Sequence, residues 1–284
     1  GGVGKTALAL LLAEKLMPRY PDAQFFLDLR GSSDKPLSVA EAMAHVIHAY
    51  HLEAKLPESE QELASLYRSL LHDKRALLLL DNAADVAQVR PLLPPPGCGV
   101  IVTSRHYFTL PGLTPLDLKV LPRPDSCALL CKLDPRLNSP LPMSGEGPGV
   151  RACEAIAELC GDLPLALRAA GSLLAATPDL SPAVYTEQLK DERTRLERLG
   201  TEGGDISVAA SFGLSYRRLE EETAHVFRQL AVFPAAFDAA AEEAICQDEG
   251  HRRLSELVRW SMVEYDPHPQ PLSQGERGES APSP

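Results

Sequence analysis

The chain opens on Gly1-Gly2-Val3-Gly4-Lys5-Thr6 and runs straight into the apolar stretch Ala7 to Met17. A glycine-rich turn that delivers Lys-Thr to a helix start exposes a row of backbone N–H groups and the positive end of the helix dipole. That arrangement cradles phosphates. In a G-x-x-x-x-G-K-[ST] loop the Lys reaches the β- and γ-phosphates and the Ser/Thr hydroxyl ligands Mg²⁺. The candidate nucleotide-binding residues are therefore Gly1, Gly2, Val3, Gly4, Lys5, Thr6 and Ala7, and the pattern's first Gly falls one position before Gly1. A plain glycine-rich helix N-terminus is the competing reading of these residues alone.

A second motif supports the first. Ala76-Leu77-Leu78-Leu79-Leu80 is an unbroken apolar run that ends in Asp81-Asn82. Such a run suits a parallel strand buried on both faces. An acid at its C-terminal end points into the crevice where open α/β sheets bind ligands. Asp81 is then the candidate partner of Thr6 in holding Mg²⁺, against the simpler reading of a strand-end Asp that caps the next helix. The following residue, Asn82, can hydrogen-bond a water but cannot take its proton. Slow hydrolysis and a persistently bound nucleotide are expected, so any enzymatic activity is at most that of a slow Mg-dependent ATPase.

A third strand, Gly99-Val100-Ile101-Val102, follows the turn Pro94-Pro95-Pro96-Gly97 and ends in Thr103-Ser104-Arg105. Arg105 at this strand end is placed to sense a γ-phosphate, where a solvent-exposed Arg is the bland alternative. Phe25 to Leu29 reads as another strand, broken by Arg30-Gly31. The segments 38–50 and 60–71 carry apolar residues at spacings of three and four, hence amphipathic helices. Alternating strands and helices imply a parallel sheet with covering helices.

Beyond about residue 120 the strand signals stop. Helices are expected over 126–133, 150–159, 165–176 and 182–199, then through a further block from 205 to 246 and over 251–263. Pro164 reads locally as a helix N1 proline, its φ preset and its missing donor harmless there. After Asp266 the composition turns to Pro, Ser, Gly and Gln without an apolar period, which predicts disorder over 267–284.

Composition removes some classes of function. Lys and Arg total 28 against 39 Asp and Glu, a net charge of −11, which argues against non-specific nucleic-acid binding. No run approaches the roughly 18 consecutive apolar residues of a membrane span. The six cysteines are dispersed, mostly inside apolar runs, and read as reduced packing residues. A cytoplasmic location follows from that reading.

The ordered set Gly-Gly-Val-Gly-Lys-Thr, Phe-Leu-Asp-Leu-Arg-Gly, Leu-Leu-Leu-Leu-Asp-Asn-Ala, Val-Thr-Ser-Arg and Gly-Asp-Leu-Pro-Leu-Ala-Leu resembles the NB-ARC branch of the STAND P-loop NTPases. Plant disease-resistance proteins, the apoptosome scaffold and many bacterial regulators belong to that branch. The likeness covers residues 1 to about 266. It implies an α/β P-loop NTPase domain over 1–120 lacking its first strand, a helical ARC1-like subdomain over 121–200, and a partial winged-helix subdomain over 201–266. It also implies that Pro164 contacts the adenine, that Arg105 contacts the γ-phosphate, and that Lys5 and Asp81 act with it in any hydrolysis. The cofactors implied are ATP or ADP with Mg²⁺.

Two departures stand out. The strand that precedes the P-loop in this family lies centrally in its sheet, and removing it is expected to leave two unpaired strand edges and a slot in the core. The family's closing Met-His-Asp-like motif has no match near Ser261-Met262-Val263, because a Pro-rich tail follows. A gene fragment or a chain cut at both ends is the expectation.

The leading functional expectation is a nucleotide switch, closed with ADP and open and self-associating with ATP. A freely turning-over ATPase, a DNA-binding regulator acting through the winged helix, and a non-functional remnant are the alternatives. Signal and output would reside in flanking effector and repeat domains, outside this chain.

Overall fold

A computed structural model describes residues 2–33, 35–51, 55–57, 59–138, 151–198, 204–233 and 237–264. Gly1, Val150 and the tail 267–284, for which the sequence carries expectations, lie outside these. The contacts divide the chain into an α/β unit, residues 4–117, and a helical unit that takes residues 118–264 together with Gly2 and Val3.

In the α/β unit, α1 (Lys5–Leu16) is followed by β1 (Ala23–Asp28), α2 (Val39–Tyr50), α3 (Glu60–Leu71), β2 (Ala76–Ala83), the short α4 (Val86–Val89) and β3 (Gly99–Ser104). The three strands form one parallel sheet in the order β1-β2-β3. The central strand explains the apolar run: Ala76 to Leu80 are at most 2 % exposed. Each buried leucine there contributes about 2 kcal/mol relative to exposure. On one face Met43, Val46 and Ile47 of α2 and Leu63, Tyr67 and Leu71 of α3 close the core. The Tyr67 hydroxyl donates to the Leu92 carbonyl at 2.8 Å, so its polar end is satisfied in the interior. α2 begins with a reciprocal capping box: the Glu41 N–H donates to Ser38 Oγ and the Ser38 N–H to Glu41 Oε2.

The expected slot is not there. β2 pairs directly with β3, Leu77 against Gly99 through Leu80 against Val102. Two parallel strand edges whose buried N–H and C=O groups need partners satisfy one another. The register shifts after Leu80, and pairing resumes with Ala83 against Ser104. That irregularity falls at the strand ends bearing the second and third sequence motifs.

The helical unit contains α5 (Arg123–Leu133), α6 (Ala152–Leu159), α7 (Pro164–Ala176), α8 (Pro182–Arg198), α9 (Gly204–Arg217), α10 (Glu221–Gln229), α11 (Ala239–Cys246) and α12 (Arg252–Arg259). Among the described residues no strand element follows Ser104. A single apolar cluster runs from Cys127 to Met262, so residues on either side of position 200 share one core. α7 is its centre, with Ala166, Leu167, Ala169, Ala170, Leu173 and Leu174 all fully buried, which is why that helix is apolar on nearly every side. Gly171 permits its close approach to α5, since a Cβ there would sit 2.6 Å from Leu133 Cδ1. All six cysteines are free thiols. Burial pushes the Cys160 thiol up to about 12, as expected of a packing residue. Among the described residues no helix is long and apolar enough to cross a membrane.

Candidate functional site

Gly4 stands at the N-cap of α1 with φ 89° and ψ 22°, a left-handed conformation that glycine adopts without penalty. A Cβ at Gly4 would meet nothing within 4 Å, so backbone conformation rather than space requires glycine here. The turn sets Lys5, Thr6 and Ala7 on the first three helical positions, where backbone N–H groups have no intrahelical acceptor. Among the described residues none of the three finds another acceptor, and no side chain caps the helix. Lys5 is half-buried and likewise forms no hydrogen bond or ion pair among the described residues.

The Thr6 hydroxyl donates to Asp81 Oδ1 at 2.9 Å across a separation of 75 residues. The loop's hydroxyl and the strand-end acid thus meet directly. Parallel pairing brings this about, because the C-terminal ends of β1, β2 and β3 all lie at one edge of the sheet, beside the start of α1. Thr103, the penultimate residue of β3, donates to the same Asp81 oxygen at 2.5 Å. Its oxygen accepts the Asn82 N–H at 2.9 Å, which fixes the direction of its own proton toward the carboxylate. Asp81 is 8 % exposed and, among the described residues, is matched by two neutral hydroxyls and no cation.

Thr103 is a functional candidate that sequence reasoning passed over. The signal was a polar residue ending an otherwise apolar strand, but its partner lies on another strand. Arg105 is exposed, one residue beyond the end of β3. Ser104 braces the turn that carries it: its hydroxyl donates to the Ala83 carbonyl at 2.7 Å and accepts the His106 N–H at 3.0 Å.

Asn82 has φ 53°, a left-handed conformation that Asn tolerates better than most residues. Its side-chain oxygen accepts from the Ser32 hydroxyl at 2.9 Å, and its carbonyl accepts the Gly31 N–H at 2.6 Å. Gly31 lies flat on this backbone, and a Cβ there would fall 2.2 Å from the Ala84 nitrogen. The residue that other ATPases replace with an acid is therefore turned toward the loop after β1. Gln88 secures the same loop by donating to the carbonyls of Leu29 and Leu37 while accepting the Ala84 N–H.

A carboxylate and a hydroxyl at the mouth of a phosphate-binding turn form an all-oxygen donor set, which fits a hard divalent cation such as Mg²⁺. The buried carboxylate without a cation of its own fits the same assignment, since such a charge is costly unless matched. Pro164 belongs to the helical unit, where it is the first residue of α7. Gly1 lies outside the described residues.

Comparison with known proteins gives a consistent picture. No protein-family model matches the chain. It is 36 % identical over 273 residues to the regulatory protein AfsR of Streptomyces griseus, covering 93 % of this chain and 27 % of that protein. The AfsR of Streptomyces coelicolor is 38 % identical over 274 residues, covering 93 % of this chain and 26 % of that protein. A disease resistance protein of Arabidopsis thaliana is 24 % identical over 260 residues, 86 % of this chain and 25 % of its own length. These likenesses support a STAND-type family. The chain spans about a quarter of the length of the curated relatives it matches. The two kinds of relative, bacterial regulators and plant resistance proteins, are among those the motif order resembles.

Proposed function

We propose that this chain is the ATP- and ADP-binding switch core of an NB-ARC-type regulator, acting in signalling or in control of transcription. The observation that carries the reading is the meeting of Thr6 and Asp81 on one carboxylate oxygen. Lys5 and the free N–H groups of Lys5, Thr6 and Ala7 would take the β- and γ-phosphates, with Gly2, Val3 and Gly4 forming the turn. Thr6 and Asp81 would hold Mg²⁺, which when bound would supply the positive charge that offsets the phosphates. Thr103 orients Asp81, and Arg105 is the proposed γ-phosphate sensor. Pro164 is the proposed adenine contact, in a helical unit made of ARC1-like and partial winged-helix parts.

Hydrolysis on this reading is slow. Asn82 cannot take a proton from a water, and its side-chain oxygen is already engaged by Ser32. ADP would hold a closed state and ATP an open, self-associating one, which requires the two nucleotides to differ in affinity for the two states. The site is cytoplasmic on this account, and any contact with nucleic acid would be made outside this chain.

Isothermal titration of the full chain with ADP and Mg²⁺ tests the proposal, with Lys5→Ala as control. Saturable binding that Lys5→Ala weakens by about a hundredfold is expected, from the loss of a charge-assisted phosphate contact. Equal heats from both proteins contradict it. Steady-state turnover at the rate of a motor ATPase contradicts slow hydrolysis independently.

A further inference from the structure

Strand β1 ends in an acid of its own, and parallel pairing sets that acid beside Asp81. Asp28 is the register partner of Asp81, and paired strands run about 4.8 Å apart. Side chains alternate along a strand, and the residues flanking Asp28, Leu27 and Leu29, are buried in the core under α2 and α3. Asp28 therefore takes the opposite face. Asp81 does the same, since Leu80 belongs to that core while Asp81 meets Thr6 at the start of α1. Two carboxylates thus stand side by side on the face that carries the helix start, and all of these residues belong to the α/β unit.

The two acids are held differently. Asp81 takes the hydroxyls of Thr6 and Thr103 on one oxygen. Asp28 Oδ1 accepts the Arg30 N–H at 2.8 Å, a local turn of the Asx kind. Its other oxygen, Oδ2, has no hydrogen bond and no ion pair among the described residues. Asp28 is half-buried, so water can reach it.

The loop that follows Asp28 is fixed from several sides. Arg30 has φ 49°, a left-handed conformation that persists outside glycine only where the surroundings over-determine it. They do so here. The Gly31 N–H is bound to the Asn82 carbonyl, the Ser32 hydroxyl to the Asn82 side chain, and the Leu29 carbonyl to Gln88 Nε2 at 2.9 Å. The same contacts turn the Asn82 amide toward Ser32. The residue after Asp81 is thereby occupied and cannot take a proton, while the neighbouring strand end offers a carboxylate with one oxygen free.

We propose that Asp28 is the general base for nucleotide hydrolysis at this site, in the place that Asn82 cannot fill. The inference rests on the reading that the helix start at Lys5 to Ala7 holds the phosphates. Asp28 Oδ2 accepts a proton from a water as the water oxygen forms its bond to the γ-phosphorus. The bond from that phosphorus to the bridging oxygen breaks, its electron pair leaves with ADP, and the products are ADP and inorganic phosphate. Asp28 then returns its proton to solvent.

The test compares the full wild-type chain with Asp28→Asn and Asp28→Ser. It measures single-turnover hydrolysis of ATP with Mg²⁺, and titration with ADP and with a non-hydrolysable ATP analogue. Asn and Ser each keep an oxygen for the Arg30 N–H, so the turn survives, but neither takes a proton from water. Hydrolysis falls about a hundredfold in both variants. ADP affinity stays within about twofold of wild type, because the phosphate contacts are made elsewhere. The analogue binds both variants about threefold more tightly, since a negative charge facing the γ-phosphate has gone. Wild-type hydrolysis in the variants overturns the inference, as does an ADP affinity that falls in parallel with the rate. Unchanged analogue affinity places Asp28 away from the γ-phosphate and overturns it as well. A wild-type chain that binds ADP but hydrolyses no ATP overturns the inference and leaves the nucleotide reading standing. One that binds no ADP overturns both, so the two failures are told apart.

Discussion

Asp134 and Glu192 in the helical unit are buried beside arginines, whereas Asp81 in the α/β unit is buried beside hydroxyls. Arg136 forks onto Asp134 and also caps the carbonyls of Leu174, Pro178 and Leu180. Glu192 is shared by Arg195 and Arg217. Glu242, fully buried, faces His251 at 2.9 Å. Asp248 accepts two N–H groups at the start of α12. Asp134 and Glu192 are matched by arginines and Asp248 by a helix start, whereas Glu242 meets a histidine through one oxygen and leaves the other, Oε1, without a hydrogen-bond partner among the described residues. Among the described residues the Asp81 side chain is met by the hydroxyls of Thr6 and Thr103. Asp81 differs from the arginine-matched acids in having no cation partner among the described residues, and it lies where the glycine-rich turn meets the sheet. On the proposed function, that carboxylate is the one a Mg²⁺-nucleotide would neutralise.

The contrast can be broken from several sides. The largest effect is expected at the loop that steadies the strand ends. Gly31→Ala would drive a methyl group into the backbone of Asn82 to Ala84, which cannot yield as a side chain can. It should destabilise the chain by about 3 kcal/mol in urea denaturation, typical of severe overpacking. The comparable change in the helical unit, Gly171→Ala, meets side-chain atoms of Leu133 (Cδ1 at 2.6 Å and Cβ at 3.0 Å) rather than backbone and should cost less.

Asp134→Asn removes an acid matched by Arg136. It should cost about 2 kcal/mol, less than for a fully buried pair because Arg136 is partly exposed. Asp81→Asn should have the opposite sign. Asn retains an oxygen for both hydroxyls and removes the unmatched charge, so the ligand-free chain should gain about 1 kcal/mol, as when an acid kept for function is neutralised. Equal destabilisation by the two variants would erase the distinction between structural and functional acids.

The smallest effect concerns His251. Its hydrogen bond to Glu242 raises the His251 pKa against the opposing effect of burial, with Glu243 and Asp248 adding to the rise. A group whose folded pKa is raised contributes stability that is fully present below its unfolded value. That contribution is lost as pH rises through the folded value. The thermal midpoint should therefore fall between about pH 6 and pH 8, given the ordinary histidine value near 6.5. His251→Gln should abolish this part of the pH dependence.

Much of the fold was legible because it depends on neighbours in sequence. The unbroken leucines of β2, the Ser38–Glu41 box that opens α2 and the proline that opens α7 all carry their signals locally. Of the candidate site, the pairing of Thr6 with Asp81 was legible because each residue ends a motif of its own. What escaped depends on partners distant in the chain. Thr103 matters only because parallel register sets it against Asp81. Asn82 is informative less for its amide than for the backbone it adopts, which Gly31 makes room for from 51 residues away in the chain. The expected slot in the sheet failed for a related reason, since backbone edges pair with whatever complementary edge is at hand.

The account's central claim is that Asp81 is held uncompensated for a Mg²⁺-nucleotide. Thermal unfolding of the wild-type chain and of Asp81→Asn, each with and without ADP and Mg²⁺, tests it most directly. The account predicts that Asp81→Asn melts higher than wild type without ligand, and that ligand raises the midpoint of wild type alone. An Asp81→Asn chain that melts lower than wild type and still gains the full shift from ADP and Mg²⁺ would contradict it.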